Sequence, residues 1–292
     1  MSDLNVYTTS QINALTPITG DMVVDSDLNA VKLYDGSAWR TWNSDSTVVP
    51  YQNRWGASFD GSNDYFSVTQ NSAINISGNI TLSAWVNRTP TSGYNAIFTK
   101  RQVGGSMNYQ FTINNGNGQV GLGHSGGSWV YNTTTTLSTS TWYHVAVTVS
   151  SGTAQFYIDG VAKDSFTGIS ITATTQDLII GATVGYNYFG GDIDEAAIFN
   201  TALSADDIAK IYNGTAPNGK PTDLTKVASY DTDRTSNLKG YWRMGDDSTD
   251  TATSGGSIAT ITDSSGNGND ATQSTASAQP TFSDLTGETI YA

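Results

Sequence analysis

Apolar and polar residues alternate over short stretches along most of the chain, and turn-forming residues interrupt them at close intervals. That pattern predicts many short antiparallel strands. Ile80 to Asn87 is the clearest stretch. Ile80, Leu82, Ala84 and Val86 fall on one face, and Thr81, Ser83, Trp85 and Asn87 on the other. Tyr109 to Ile113 and Gln119 to Gly123 flank Asn114 to Gly118, a hairpin turn rich in residues that tolerate positive φ. Trp142 to Val149 and Ala154 to Ile158 flank a second turn, and Asp159-Gly160 turns the chain again. Leu178 to Ile180 and Gly191 to Phe199 complete this stretch, whose pattern predicts an all-β sandwich or barrel.

One helix is well signalled. Ser204 can cap it, Asp207 completes a capping-box-like pair, Ile208 and Ile211 share a face with Tyr212 beside them, and Asn213-Gly214 supplies the stop. A shorter helix is expected after Thr9 or Ser10. The first fifty residues otherwise read as a small hairpin: Met22 to Val24, a turn at Asp25 to Asn29, Ala30 to Tyr34, and a turn at Asp35-Gly36. Such a hairpin is marginal alone and should pack on the main domain or on neighbouring chains. Residues 215–237 are polar, contain Pro217 and Pro221, and read as a connector. Leu238 to Met244 then returns to strand-like sequence before a loop rich in Gly, Ser, Thr and Asp.

Composition narrows the chemistry. Thirteen basic residues against 26 acidic ones give a net charge of −13, which excludes binding to a nucleic-acid backbone. Ser, Thr and Asn number 33, 41 and 23, a third of the chain, yet aromatics at 11% argue against disorder. The absence of cysteine excludes disulfides and thiolate chemistry, and two histidines leave little for a His-rich metal site. No apolar run approaches the roughly 20 residues of a membrane span, and the start lacks the segments of a signal peptide.

Three segments together carry a family resemblance: Phe59 to Val68; Leu82 to Asn87 followed by Trp142 to Gly160; and Gly190 to Asn213, where an acidic strand leads into a helix ending in Tyr-Asn. They resemble the laminin-G-like, concanavalin A-like jelly-roll family. The resemblance implies two stacked antiparallel sheets and often a structural calcium. In that family a Tyr-Trp strand and an Asp-Ser-Ser-Gly-Asn-Gly loop normally come first. Here they are Gly240 to Met244 and Thr262 to Thr272, after the helix. A permuted sandwich is the simplest reading; donation of the strand to a neighbouring subunit and a truncated second copy are the others. Residues 19 to 42 are similar to segments that recur in tailed-bacteriophage fibre and virion proteins. The resulting division is residues 1–50 for attachment and oligomerisation, 51–214 for the jelly roll, 215–237 for the connector, and 238–292 for a C-terminal block completing or swapping into the jelly roll.

Three sites follow as expectations. Asp192 and Asp194 should share a strand face, with Glu195 opposite. Concanavalin-like glucanases use three alternating carboxylates there, whereas the third position here is Ala196, so no enzymatic activity is expected. The family's structural calcium points to Asp194, Asp246, Asp263, Asn267 and Asn269, while Asp60 and Asp64 can instead cap a turn. Trp129, Tyr131, Tyr186 and Tyr188, set among Gly and Asn, are candidates for stacking on sugar faces. Trp85, Trp142 and Trp242 are expected in the core, His144 on a strand surface, and neither histidine with a Ser or Cys partner. The expected role is a phage virion protein, a short fibre or capsid-surface appendage. It would dock to other virion proteins through its N-terminal segment, assemble as a homo-oligomer (trimer favoured), and adhere to a host-surface glycan. The alternative is a soluble carbohydrate-binding module or glycoside hydrolase of the same fold.

Overall fold

The computed structural model describes residues 6–17, 21–26, 30–34, 37–42, 54–91, 93–101, 107–183, 185–213 and 223–285. The chain divides into two compact units, Met1–Gln52 and Asn53–Ala292.

The N-terminal unit contains more than a hairpin. Strands β1 (Val6–Tyr7), β2 (Met22–Asp25), β3 (Ala30–Tyr34) and β4 (Trp39–Trp42) form one sheet in that order, with β1 and β2 parallel. Helix α1 (Thr9–Asn13) starts at Thr8, whose hydroxyl and Gln11 form a reciprocal capping box. Asp25, fully buried, accepts from the Thr9 hydroxyl at 2.9 and 2.8 Å and pairs with Lys32 at 3.1 Å. One carboxylate thus ties helix and hairpin together. The expected turn at Asp35-Gly36 and most of the Asp25 to Asn29 turn lie outside the described residues.

The larger unit is a two-sheet jelly roll. One sheet contains β5 (Trp55–Asp60), β7 (Ile80–Arg88), β12 (Trp142–Ser150), β13 (Thr153–Ile158), β14 (Val161–Thr167), β16 (Gly190–Phe199) and β20 (Thr281–Asp284). Their spatial order is β14-β13-β12-β7-β16-β5-β20, and β17 (Leu238–Trp242) pairs with β16. The other contains β6 (Phe66–Val68), β8 (Tyr94–Arg101), β9 (Met107–Asn114), β10 (Val120–His124), β11 (Ser128–Tyr131), β15 (Leu178–Ile180), β18 (Thr260–Ile261) and β19 (Ala271–Thr272), in the order β11-β10-β9-β8-β15-β6-β19-β18. Ile80, Leu82, Ala84 and Val86 all enter the core between the sheets, as their alternation predicts. The turns at Asn114 to Gly118, Ser151-Gly152 and Asp159-Gly160 join the strand pairs that the sequence indicates.

The C-terminal block does more than fill one slot. It supplies β17 and β20 to one sheet and β18 and β19 to the other, all paired within the chain. Trp242, Ile258, Ile261, Ala271 and Phe282 join the core.

The two outer faces of the sandwich differ. Helix α2 (Ala205–Asn213) packs Ile208 and Ile211 on Ala146, Tyr157, Ala197 and Phe199, with Leu224, Tyr230, Leu238 and Tyr241 alongside. The described part of the expected connector is therefore not free. Asp207, capping-box partner of Ser204, also accepts from the N–H groups of Asp231 and Thr232 and from Arg234 Nε at 2.9 Å. Residues 215–222 lie outside the described residues. The outer face of the β8–β11 sheet shows polar, Gly and aromatic side chains instead.

Candidate functional site

On that second outer face the hairpin β10–β11 builds an aromatic platform. Leu122 and Val130 point to the core, so Gly121, Gly123, Trp129 and Tyr131 face outward. Gly121 lies across from Tyr131, and Gly123 across from Trp129. A Cβ on Gly121 would meet the Tyr131 ring at 2.4 Å, and one on Gly123 would meet the Trp129 ring at 2.9 Å. The rings therefore occupy the space that side chains at these two glycines would need.

Trp129 and Tyr131 are nearly parallel, with centroids 5.9 Å apart and planes 9° apart. Tyr94 of β8, across β9 from the hairpin, makes the third corner of a triangle of near-parallel rings, 6.2 Å from Trp129 and 6.4 Å from Tyr131. Burial, with the Tyr94 hydroxyl beside it, pushes the Tyr131 phenol up, so it stays a neutral donor. All three rings are half-buried.

Polar groups adjoin the rings. From Trp129 the cross-strand row runs through Gly123 and Gln110 to Thr99. Gln110 donates to the Thr183 hydroxyl at 2.8 Å and accepts from Arg101 at 3.4 Å. Thr183 bridges to Tyr186, and Asn187 accepts from the Tyr94 N–H at 3.4 Å, so the loop bearing Tyr186 and Tyr188 is anchored beside the platform. Tyr186 is 40% exposed and Tyr188 half-buried. Four expected aromatics thus fall in one region. Sequence reasoning missed Tyr94, Gly121, Gly123, Gln110 and Arg101. The hairpin sequence Gly121-Leu122-Gly123 opposite Trp129-Val130-Tyr131 was the available signal, since glycines alternate against rings at the same period.

The acidic strand departs from expectation. A β-bulge between Asp194 and Ala197 inserts one residue, with Glu195 at φ +48°. Ile193 and Ala196 both enter the core, so Glu195 does not point opposite Asp194. Its carboxylate accepts from the Tyr241 hydroxyl and lies 3.6 Å from Arg243 Nε on the helix-covered side. Asp194 is fully buried and accepts from the Glu195 N–H at 2.7 Å.

The remaining calcium candidates form a clamp. Asp263 accepts from the N–H groups of Tyr241 (2.9 Å), Ser265 (3.0 Å) and Asn269 (2.9 Å). Asn267 and Asn269 donate to the carbonyls of Leu238 (2.9 Å) and Lys239 (2.6 Å), and the Trp242 indole donates to the Asn269 carbonyl at 2.8 Å. These groups face the β17 backbone, whereas a calcium site needs convergent free oxygens. As arranged, the loop does not fit the ion. Asp246 accepts from the N–H groups of Arg54 and Trp55. Among the described residues no three His, Cys, Asp or Glu side chains gather as a metal site. Asp60 and Asp64 do cap their turn, through Ser62, Asn63 and the Asp60 N–H.

His144 is a further correction. It is buried, not on a surface, and its Nε2 lies 2.9 Å from Ser83 Oγ. Trp85 and Trp142 are buried outside the inter-sheet core, with Leu285 and Tyr212 packed around them. Among the described residues no helix is long and apolar enough to cross a membrane.

Comparison with known proteins agrees with this architecture. Residues 60–209, just over half of the chain, match a laminin-G-type family model described as the concanavalin A-like lectin/glucanases superfamily. A structure from Bacteroides ovatus ATCC 8483, to which carbohydrate binding is ascribed, is similar at 17% identity and a TM-score of 0.58. The match covers 97% of this chain and 81% of that one. A heptameric SAP-like pentraxin from Limulus polyphemus matches at 15% identity and a TM-score of 0.48, over 55% of this chain and 82% of its own. The CBM40 domain of a Ruminococcus gnavus sialidase matches at 12% identity and a TM-score of 0.44, over 55% of this chain and 98% of its own. A search of curated proteins gives no match. The chain belongs to the concanavalin A-like lectin/glucanase superfamily.

Proposed function

We propose that the jelly roll is a glycan-binding domain whose site is the aromatic platform at the β10–β11 end of the β8–β11 sheet. The observation that carries this is the Tyr94–Trp129–Tyr131 stack over Gly121 and Gly123. Flat, half-buried rings offer apolar faces to the C–H faces of a pyranose, and the hydroxyls of the tyrosines suit its hydroxyl groups. Binding without hydrolysis is the expected behaviour, because Ala196, in the core, stands where a third alternating carboxylate would be needed. A glycan array followed by calorimetry tests the reading. Trp129→Ala should weaken binding at least tenfold with an unchanged melting temperature, and wild-type protein should release no reducing sugar. A variant that binds as well as wild type places the site elsewhere.

The N-terminal unit supports a more specific setting. It has its own sheet and a buried Thr9–Asp25–Lys32 network, and the reading rests on the resemblance of residues 19–42 to phage-fibre segments noted in the sequence. In this reading the unit attaches the domain to a virion and drives assembly, with a trimer expected, so that the jelly roll faces host glycans. Particle mass spectrometry and light scattering should find the chain in virions and as a multimer. A stable monomer absent from particles would leave only the free-standing binding module.

A further inference from the structure

At the end of β8 stands a cation with no carboxylate partner among the described residues. Arg101 ends β8 half-buried, its Nη1 donating to Gln110 Oε1 at 3.4 Å, and its Nε is buried with no hydrogen-bond partner. Other arginines of this acidic chain are engaged. Arg54, Arg234 and Arg243 face Asp284, Asp207 and Glu195, and Arg88 donates to the Leu137 carbonyl at 3.1 and 2.6 Å. Among the described residues no carboxylate pairs with Arg101. Thr99 Oγ1, across from Gln110, is also buried without a partner. A half-buried guanidinium with no carboxylate of the fold beside it can take one from a ligand, which it matches through two parallel N–H donors.

The register sets the spacing. The Trp129 indole leans over Gly123, and Gln110, which holds Arg101, is the next strand along. Neighbouring strands are about 4.8 Å apart, so a pyranose lying on the indole would carry a ring substituent toward the guanidinium.

We infer that this face binds a carboxylated pyranose, a hexuronate or a sialate, with the sugar ring on Trp129 and Tyr131 and the carboxylate on Arg101. The inference rests on the glycan-binding reading and adds the charge of the ligand. Calorimetry with trigalacturonate, its full methyl ester, 3′-sialyllactose and galactotriose tests it on the full chain. At least one acid should bind tenfold or more tighter than the ester and the neutral sugar, with affinity falling as salt rises. Which acid binds tells uronate from sialate. Arg101→Gln should erase the preference, and Arg101→Lys should restore only part of it, because an ammonium keeps the charge and loses the fork. Equal affinity for acid and ester, or an acid preference that survives Arg101→Gln, overturns the inference. Should neutral sugar still bind in a Trp129-dependent way, the glycan reading stands alone. If none of the four sugars binds, both fall. Should Arg101→Gln not fold, the acid-against-ester comparison on wild type decides.

Discussion

His144 packs beside the stacked rings of Trp85 and Tyr212, with centroids 5.3 and 6.2 Å away, and meets Ser83 through Nε2. Burial lowers its pKa to about 3, so the folded protein keeps it neutral. An unfolded chain protonates it near its ordinary value of about 6.5. The unfolded state therefore binds the proton first, and stability is lost as pH falls from about 6.5 toward 3. Asp159 accepts from the His144 N–H at 2.9 Å, and burial raises its own pKa, which works in the opposite sense at the acid end. Melting curves should show wild type losing stability below about pH 6.5, and His144→Gln flattening that slope. Gly121 is a second decisive residue. Gly121→Ala should displace the Tyr131 ring, cost about 1–3 kcal/mol by chemical denaturation, and weaken glycan binding as much as loss of the ring itself.

Among the elements, α2 depends on one carboxylate. Burial alone would push Asp207 up, but Arg234 and the N–H groups of Thr232 and Ser204 hold it below the usual carboxylate range. A depressed carboxyl contributes stability above its unfolded pKa of about 4 and loses it as pH falls through the lower folded value. Asp207→Ala should cost about 2–4 kcal/mol in urea titrations, because it removes a cap and strands a partly buried Arg234. The loop after β18 makes a comparable clamp. Asp263→Ala should lower the melting temperature by unpairing three N–H groups, whereas a chelator should leave the wild-type value unchanged. A large chelator-induced drop would show that the loop rearranges around an ion.

At the scale of the molecule, the C-terminal block and the N-terminal unit should behave oppositely on deletion. Removing residues 238–292 takes strands from both sheets and Trp242 and Phe282 from the core, so the remainder should fail to fold cooperatively. Removing residues 1–52, a unit with its own contacts, should leave the jelly roll's melting transition in place. Circular dichroism on both truncations checks this pair of outcomes.

Local order decided what could be read in advance. Strand alternation from Ile80 to Phe199, the Asn/Gly and Asp/Gly turns and the Ser204–Asp207 cap are nearest-neighbour properties, set by side-chain period and backbone preference. They determined the all-β class and most of the strand pairs. The bulge at Glu195, the burial of His144, the division of the C-terminal block between two sheets and the meeting of Tyr94 with Trp129 were decided only in three dimensions. Each depends on register between segments distant in the chain, and a shift of one residue would move every ring to the opposite face.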